Sequence, residues 1–173
     1  ERILQAENEP GNWLAHGRTY EERRFSPLKQ INKETVSELG LVWSKDMGTN
    51  RALEATPIVV DGIMFFTSTW SRVYAVDALS GETIWTFDPQ VPGEWARKAC
   101  CDIVNRGVAV YNGKVYSASL DGRLFSLNAE TGEVVWEVDT IIDRTRSYTI
   151  TGAPRDSKGK VYKGNGGAEN GVR

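Results

Sequence analysis

Two short stretches hold the residues best suited to chemistry. "RKACCDIVNRG" (97–107) carries the only two cysteines of the chain, Cys100 and Cys101, at adjacent positions and then Arg106; "GNGGAE" (164–169) is glycine-rich and ends on Glu169. Adjacent Cα atoms sit about 3.8 Å apart across a trans peptide, closer than the roughly 4.4–6.8 Å usual between disulfide partners. A bond between neighbours would close a small ring that includes the peptide itself, at a cost of about a few kcal/mol in distortion. It would hardly restrict the unfolded chain, because that benefit grows with loop length. A ring here would therefore serve shape rather than stability, as a rigid, flat, apolar surface. The alternative is a reduced pair acting as two small buried apolar residues. Metal binding is the weakest reading: neighbouring thiolates diverge, the lone His16 is remote in sequence, and neither Cys-x-x-Cys nor a haem-attachment motif occurs. Arg106 reads by itself as an ion-pair residue on the surface or between blades. "GNGGAE" lacks the Gly-Lys-Ser/Thr of a phosphate loop, places Glu169 where a dinucleotide fingerprint needs Gly or Ala, and is followed by no helical pattern. Its glycines permit close approach of backbone to a flat ligand.

These stretches are held by a repeat. Residues 60–85, "VDGIMFFTSTWSRVYAVDALSGETIW", align without a gap on 111–136, "YNGKVYSASLDGRLFSLNAETGEVVW", at an offset of 51 residues (62 to 113). Gly62 falls on Gly113, Arg72 on Arg123, Gly81 on Gly132 and Trp85 on Trp136. Each unit alternates like a strand and is broken by Asp-Gly or Asn-Gly turns, which predicts a small antiparallel sheet of about four strands. "LGLVWSKD" (39–46) resembles the tryptophan-bearing closing strand alone, and "SKGKVYKGNGG" (157–167) the opening of a third unit. A period of this size with several short strands is the mark of a β-propeller. The fold class expected is therefore all-β, with residues 51–173 forming part of a propeller of about two complete blades and the start of a third. Propellers close with roughly four to eight blades, so further blades are expected to cover the open faces. A self-standing β domain with one internal duplication is the competing expectation. Residues 1–50 form a separate N-terminal segment in this reading, with a helix over "SPLKQINKETVSELG" (26–40) capped by Asn32, carrying Glu34 in its first turn and stopped by Gly40.

Bulk properties narrow the partners. The chain has 173 residues, 40% hydrophobic content and six tryptophans, enough for a packed core. A formal net charge of -2 supplies no basic field for nucleic acid or an anionic membrane. No apolar run approaches the roughly 18 residues of a membrane span. A start at Glu1 rather than Met is expected to follow removal of an N-terminal piece.

Together, "ACCDIVNRGVAV", "SYTITGAP" and "GNGGAENGVR" resemble the quinoprotein alcohol dehydrogenases, which use pyrroloquinoline quinone (PQQ) inside an eight-bladed propeller. "WLAHGRTYEERRFSPLKQIN", "EATPIVVDG" and "DPQVPGEWARKACCDIVNRG" are most similar to the quinohaemoprotein branch, in which a cytochrome c domain follows the propeller. The resemblance implies a disulfide between Cys100 and Cys101 stacked on one face of the quinone. It also implies Arg106 at the quinone carbonyls, Glu54 hydrogen-bonded to the cofactor, Thr151 on a cofactor carboxylate, and the backbone of Gly167 and Ala168 against the quinone. Glu169 matches a calcium ligand; a hard carboxylate suits calcium, which usually takes about six to eight oxygens, so cofactor and later blades would supply the rest.

The implied activity is oxidation of an alcohol to an aldehyde or ketone, with electrons leaving to a cytochrome c domain or protein. The family's catalytic aspartate, a second metal ligand, the tryptophan floor of the quinone and haem c all match beyond residue 173, so no catalytic residue is expected within this chain and the isolated chain is expected to be inactive. A disulfide of this kind persists most readily in an oxidising compartment, which implies the periplasm. A non-catalytic propeller scaffold is the alternative, but it would need neither the cysteine pair nor "GNGGAE". One departure from the family pattern is "RDSKGKVYKG" (155–164), where Asp156, Ser157 and Lys163 interrupt the expected β alternation.

Overall fold

Asp-Gly and Asn-Gly pairs place two residues at positive φ in succession, which is what a tight two-residue hairpin requires. In the computed structural model, which describes residues 2–171, such hairpins set the frame. Asp61 and Gly62 (φ 52° and 83°) join β1 (Ile58–Val60) to β2 (Ile63–Thr67), and the meander continues through β3 (Val73–Asp77) and β4 (Thr83–Phe87). Asn112 and Gly113 (φ 50° and 70°) do the same between β5 (Ala109–Tyr111) and β6 (Lys114–Ala118), followed by β7 (Arg123–Asn128) and β8 (Val134–Asp139). The two sheets agree even in their irregularity: the register shifts between Ala75 and Val76 in one and between Ser126 and Leu127 in the other. A third hairpin, β9 (Arg155–Ser157) with β10 (Lys160–Tyr162), turns at Lys158 and Gly159 (φ 51° and 72°). The expected interruption at Asp156 and Ser157 thus does not prevent strand pairing, because the ladder is made by main chain and the turn has the required handedness. Asp156 is buried, and its carbonyl accepts the Tyr20 hydroxyl at 3.3 Å.

Ile58, Phe65, Val73, Ala75 and Trp85 of the first blade and Val115, Phe125 and Leu127 of the second form one core, joined by Val108 of the connection between them. Trp85 closes this interface. Its Nε1 donates to the carbonyl of Ala129 at 2.9 Å, and its ring lies over Gly132 (φ 76°), where an added Cβ would stand 2.7 Å from the indole. Trp43 does the same one blade earlier: Nε1 donates to Ala78 at 3.2 Å and the ring covers Gly81 (φ 74°), where a Cβ would fall at 2.6 Å. Trp136, third in the series, is 38% exposed, with Val134, Val135 and Val138 exposed beside it. The "LGLVWSKD" echo is therefore reproduced in its docking, although residues 39–46 form no strand.

The helix expected over 26–40 is not formed. Only a three-residue 3-10 turn, Val36–Glu38, is present. The Asn32 carboxamide oxygen accepts from the backbone of Glu34 at 2.9 Å and of Thr35 at 3.1 Å, and the Thr35 hydroxyl donates to the Gln30 carbonyl at 2.7 Å. Such local side-chain bonds compete with helical ones. Val36, Leu39, Leu41 and Val42 stay exposed, so no apolar face is buried to stabilise a short helix.

Residues 2–24 lie instead along the hairpin end of the blades. Trp13 pairs with Val59 through two main-chain bonds of 2.9 and 3.0 Å. Arg2 reaches Asp61 at 2.7 Å, and Arg155 pairs with Glu22. Burial would raise the Glu22 carboxyl, but Arg155 together with His16 and Arg24 outweighs it and the value is lowered. His16, in the same neighbourhood, is pushed down by burial and by Arg155.

Candidate functional site

The opposite end of the blades gathers the chemistry. Counting back from each hairpin, Glu54, Asn105 and Thr151 hold the same repeat position, just before β1, β5 and β9. These three entering segments are stitched together: Thr56 N donates to Arg106 O at 3.3 Å, and Arg106 N donates to Thr151 O at 2.9 Å. Gly107 (φ 122°) permits this approach, since a Cβ there would meet the Thr56 carbonyl at 3.1 Å.

Arg106 is the centre of the arrangement. Its Nη2 lies 2.8 Å from Glu54 Oε2, and its Nη1 donates to Thr151 Oγ1 at 2.8 Å. The Arg106 and Glu54 side chains are 40% and 35% exposed, so the cluster is tied together yet open on one side. Three residues singled out separately in the sequence, one on each of three successive blades, are thus brought into direct contact.

Cys100 and Cys101 are joined by a disulfide, their Cα atoms 3.8 Å apart, and both are exposed. Of the two readings left open by the residues, the ring is the one realised. The bond sits on a loop that the fold holds firmly. A 3-10 turn, Gly93–Arg97, buries Trp95 against Ile103 and Leu120, with Lys98 Nζ 4.2 Å from the Trp95 ring centroid and Arg144 Cζ at 5.4 Å. On the far side of the disulfide, Asp102 (φ 69°) pairs with Arg51, in the segment leading to Glu54.

Gly166 and Thr149 form a two-way main-chain bridge, Gly166 N to Thr149 O at 2.6 Å and the reverse at 3.4 Å. The bridge brings the glycine-rich stretch alongside the segment that carries Thr151. Gly167 (φ 114°) is buried, and Ala168 opens the 3-10 turn Ala168–Asn170. The backbone of Glu169 lies in that turn; its side chain lies outside the described residues. Among the described residues no group of three His, Cys, Asp or Glu side chains is placed to hold a metal ion.

Sequence reasoning passed over Asn105, Arg51 and Trp95. Asn105 is buried, and its carboxamide bonds to both blades. The visible signal was a single amide within the apolar run "IVNRGVAV". Arg51 carried no sequence signal, because its partner Asp102 is remote in the chain.

The profile of the PQQ family described as "Glucose/ethanol/alcohol dehydrogenase, beta-propeller domain" matches residues 13–137. The chain belongs to this family. Among relatives of the chain, the quinohemoprotein alcohol dehydrogenase ADH-IIG of Pseudomonas putida is 59% identical over 172 residues, covering 99% of this chain and 24% of its own length. The 1-butanol dehydrogenase (cytochrome c) of Thauera butanivorans is 58% identical over 163 residues, covering 94% of this chain and 24% of its own length. The solved structure of the Pseudomonas putida enzyme superposes with a TM-score of 0.95 at 58% identity, covering 97% of this chain and 25% of that one. A europium-containing methanol dehydrogenase superposes with a TM-score of 0.93 at 39% identity, covering 99% and 30%. The family thus confirms the propeller fold, and this chain spans about a quarter of the length of such relatives.

Proposed function

We propose that this chain supplies one side of the quinone cradle of a periplasmic PQQ-dependent alcohol dehydrogenase of the quinohaemoprotein type, oxidising alcohols to aldehydes or ketones and passing electrons to a cytochrome c. The observation that carries the reading is the Arg106 guanidinium shared between Glu54 Oε2 and Thr151 Oγ1, five residues along the chain from an exposed vicinal disulfide (101 to 106). PQQ is planar and anionic, and the residues fit it: a guanidinium and a hydroxyl offer donors to an oxygen-rich edge, and the disulfide offers a flat apolar face. Bound PQQ would supply the hydride acceptor for the alcohol.

The chain's own residues bind and orient. Arg106 Nη1 and Thr151 Oγ1 are bonded to each other, so the donors this reading gives to a quinone carbonyl and to a cofactor carboxylate stand side by side. Glu54 fixes the guanidinium plane from the other side and offsets its charge. The Gly167 and Ala168 backbone would lie against the quinone in this reading. Calcium belongs to the reading through Glu169 alone, and no step is assigned to the metal. The remaining oxygens, the proton-accepting aspartate, haem c and the closing blades belong to other parts of the protein in this reading, and an exposed disulfide suits an oxidising compartment.

The test is a PQQ titration of the full-length apoprotein, followed by tryptophan fluorescence, with Arg106→Ala beside the parent. A loss of affinity of at least about 10-fold, with an unchanged apo melting temperature, is expected for a guanidinium on an anionic ligand. Unchanged affinity would sink the cradle reading.

A further inference from the structure

Glu54, Asn105 and Thr151 occupy equivalent positions in three successive repeats, yet only the first and third point their side chains at Arg106. Asn105 turns the other way and is buried, 2% exposed. Its Oδ1 accepts from the Thr67 hydroxyl at 2.9 Å and from the backbone N–H of Gly107 at 3.0 Å, and its Nδ2 donates to the Ala118 carbonyl at 2.8 Å. Thr67 ends β2 in the first blade and Ala118 ends β6 in the second. One carboxamide therefore ties the same end of two blades to the corner that carries Arg106.

We infer that Asn105 is a positioning residue for ligand binding at Arg106, holding the guanidinium where Glu54 and Thr151 meet it. This rests on the proposed role of Arg106 and adds to it. Three constraints act on that corner: the main-chain bonds of Arg106 to Thr56 and Thr151, the left-handed turn at Gly107, and the Asn105 carboxamide. The first two set the path of the backbone. Only the third locks the corner to both sheets, because no other side chain on residues 103–108 bonds to β2 and β6 together among the described residues. A long, rotamer-rich arginine binds a ligand best when its Cα is fixed, since less freedom is then lost on binding. A carboxamide suits the task, because it offers an acceptor and a donor in one rigid plane. Aspartate at this position would face the Ala118 carbonyl with a second acceptor, and serine is too short to reach both strands.

The experiment uses full-length apoprotein and two variants, Asn105→Ser and Thr67→Val, the second removing only the hydroxyl that donates to Asn105. Each is measured for PQQ affinity by fluorescence titration and for apo melting temperature, alone and combined with Arg106→Ala. Each variant alone is expected to weaken PQQ about 5- to 20-fold. In the Arg106→Ala background neither should weaken it further, because the group they position is gone. Equal losses in both backgrounds, or a lowered melting temperature with unchanged affinity, would reduce Asn105 to a structural amide and overturn the inference. If Asn105→Ser does not fold, Thr67→Val decides alone by the same criteria. If Arg106→Ala itself binds PQQ like the parent, the cradle reading fails first, which is a different result from Arg106→Ala losing affinity while Asn105→Ser and Thr67→Val keep it.

Discussion

The first and second blades are copies in everything that makes a sheet and differ in what leads into it. Their hairpins, strand order, bulges and tryptophan caps coincide. The entering segments do not: Glu54-Ala55-Thr56 precedes β1, whereas Asn105-Arg106-Gly107 precedes β5 at the same positions. The connections differ as well, since residues 88–108 before the second blade carry the Trp95 turn and the disulfide, while residues 140–154 before the third hairpin carry neither. Repetition supplies a rigid frame, and unlike residues placed at like positions supply the site. A frame of this sort lets one position hold an acid, an amide and a hydroxyl without any change of fold.

The comparison can be broken most forcefully at its caps. Trp85→Ala should destabilise the chain by about 3–5 kcal/mol in equilibrium denaturation, because the indole is 8% exposed and fills the space between two sheets. Trp43→Ala should cost roughly half as much, since the equivalent ring is only half-buried. Equal losses would mean that the residues flanking Trp43 are ordered more strongly than their exposure implies. Next in size is Gly107→Ala. At φ 122° with a carbonyl 3.1 Å from the new Cβ, it should cost about 1–3 kcal/mol and weaken PQQ binding, whereas alanine at Thr56, its counterpart in the first blade, should do much less.

A smaller effect distinguishes the two ends. Hydrogen bonding from Arg2 holds the Asp61 carboxyl below its ordinary range. The folded value is lowered, so its contribution is present above the ordinary aspartate range near pH 4 and is lost as pH falls through the lowered value. With 65% of the Asp61 side chain exposed, that contribution is under about 1 kcal/mol. Hydrogen exchange at Arg2–Asn8 should accelerate in that acid window, and Asp61→Asn should reduce the pH dependence to the part left by Glu9, whose carboxyl Arg2 also holds low. The smallest effect on stability belongs to the disulfide. Replacing both cysteines by alanine should shift the denaturation midpoint by no more than about 0.5 kcal/mol, because the loop it closes is minimal, while PQQ affinity falls. A large stability loss would show that the ring does more than present a surface.

Much of this was legible because repeats compare a sequence with itself. The offset that pairs Gly81 with Gly132 and Trp85 with Trp136 predicts the sheets and their turns, and the motif around Cys100 and Arg106 points to the family; that the tryptophans cap the glycine turns is seen only in the fold. The helix over 26–40 was misread because capping residues announce a local start, but only a buried face sustains a helix, and Val36 and Leu39 have nothing to pack against. Asn105 was overlooked for the converse reason. Its role is set by Thr67 and Ala118, two strand ends that meet only in the folded state. The contact between Arg106, Glu54 and Thr151 was likewise invisible as geometry, although each residue could be named.

The tryptophan caps also carry a direction. Trp43 precedes the turn at Gly81 that it covers, and Trp85 precedes the turn at Gly132. Each lid is therefore made before the vessel it closes. As the chain emerges from the ribosome, N-terminal end first, the caps for both of these blades are synthesised before the turns they cover.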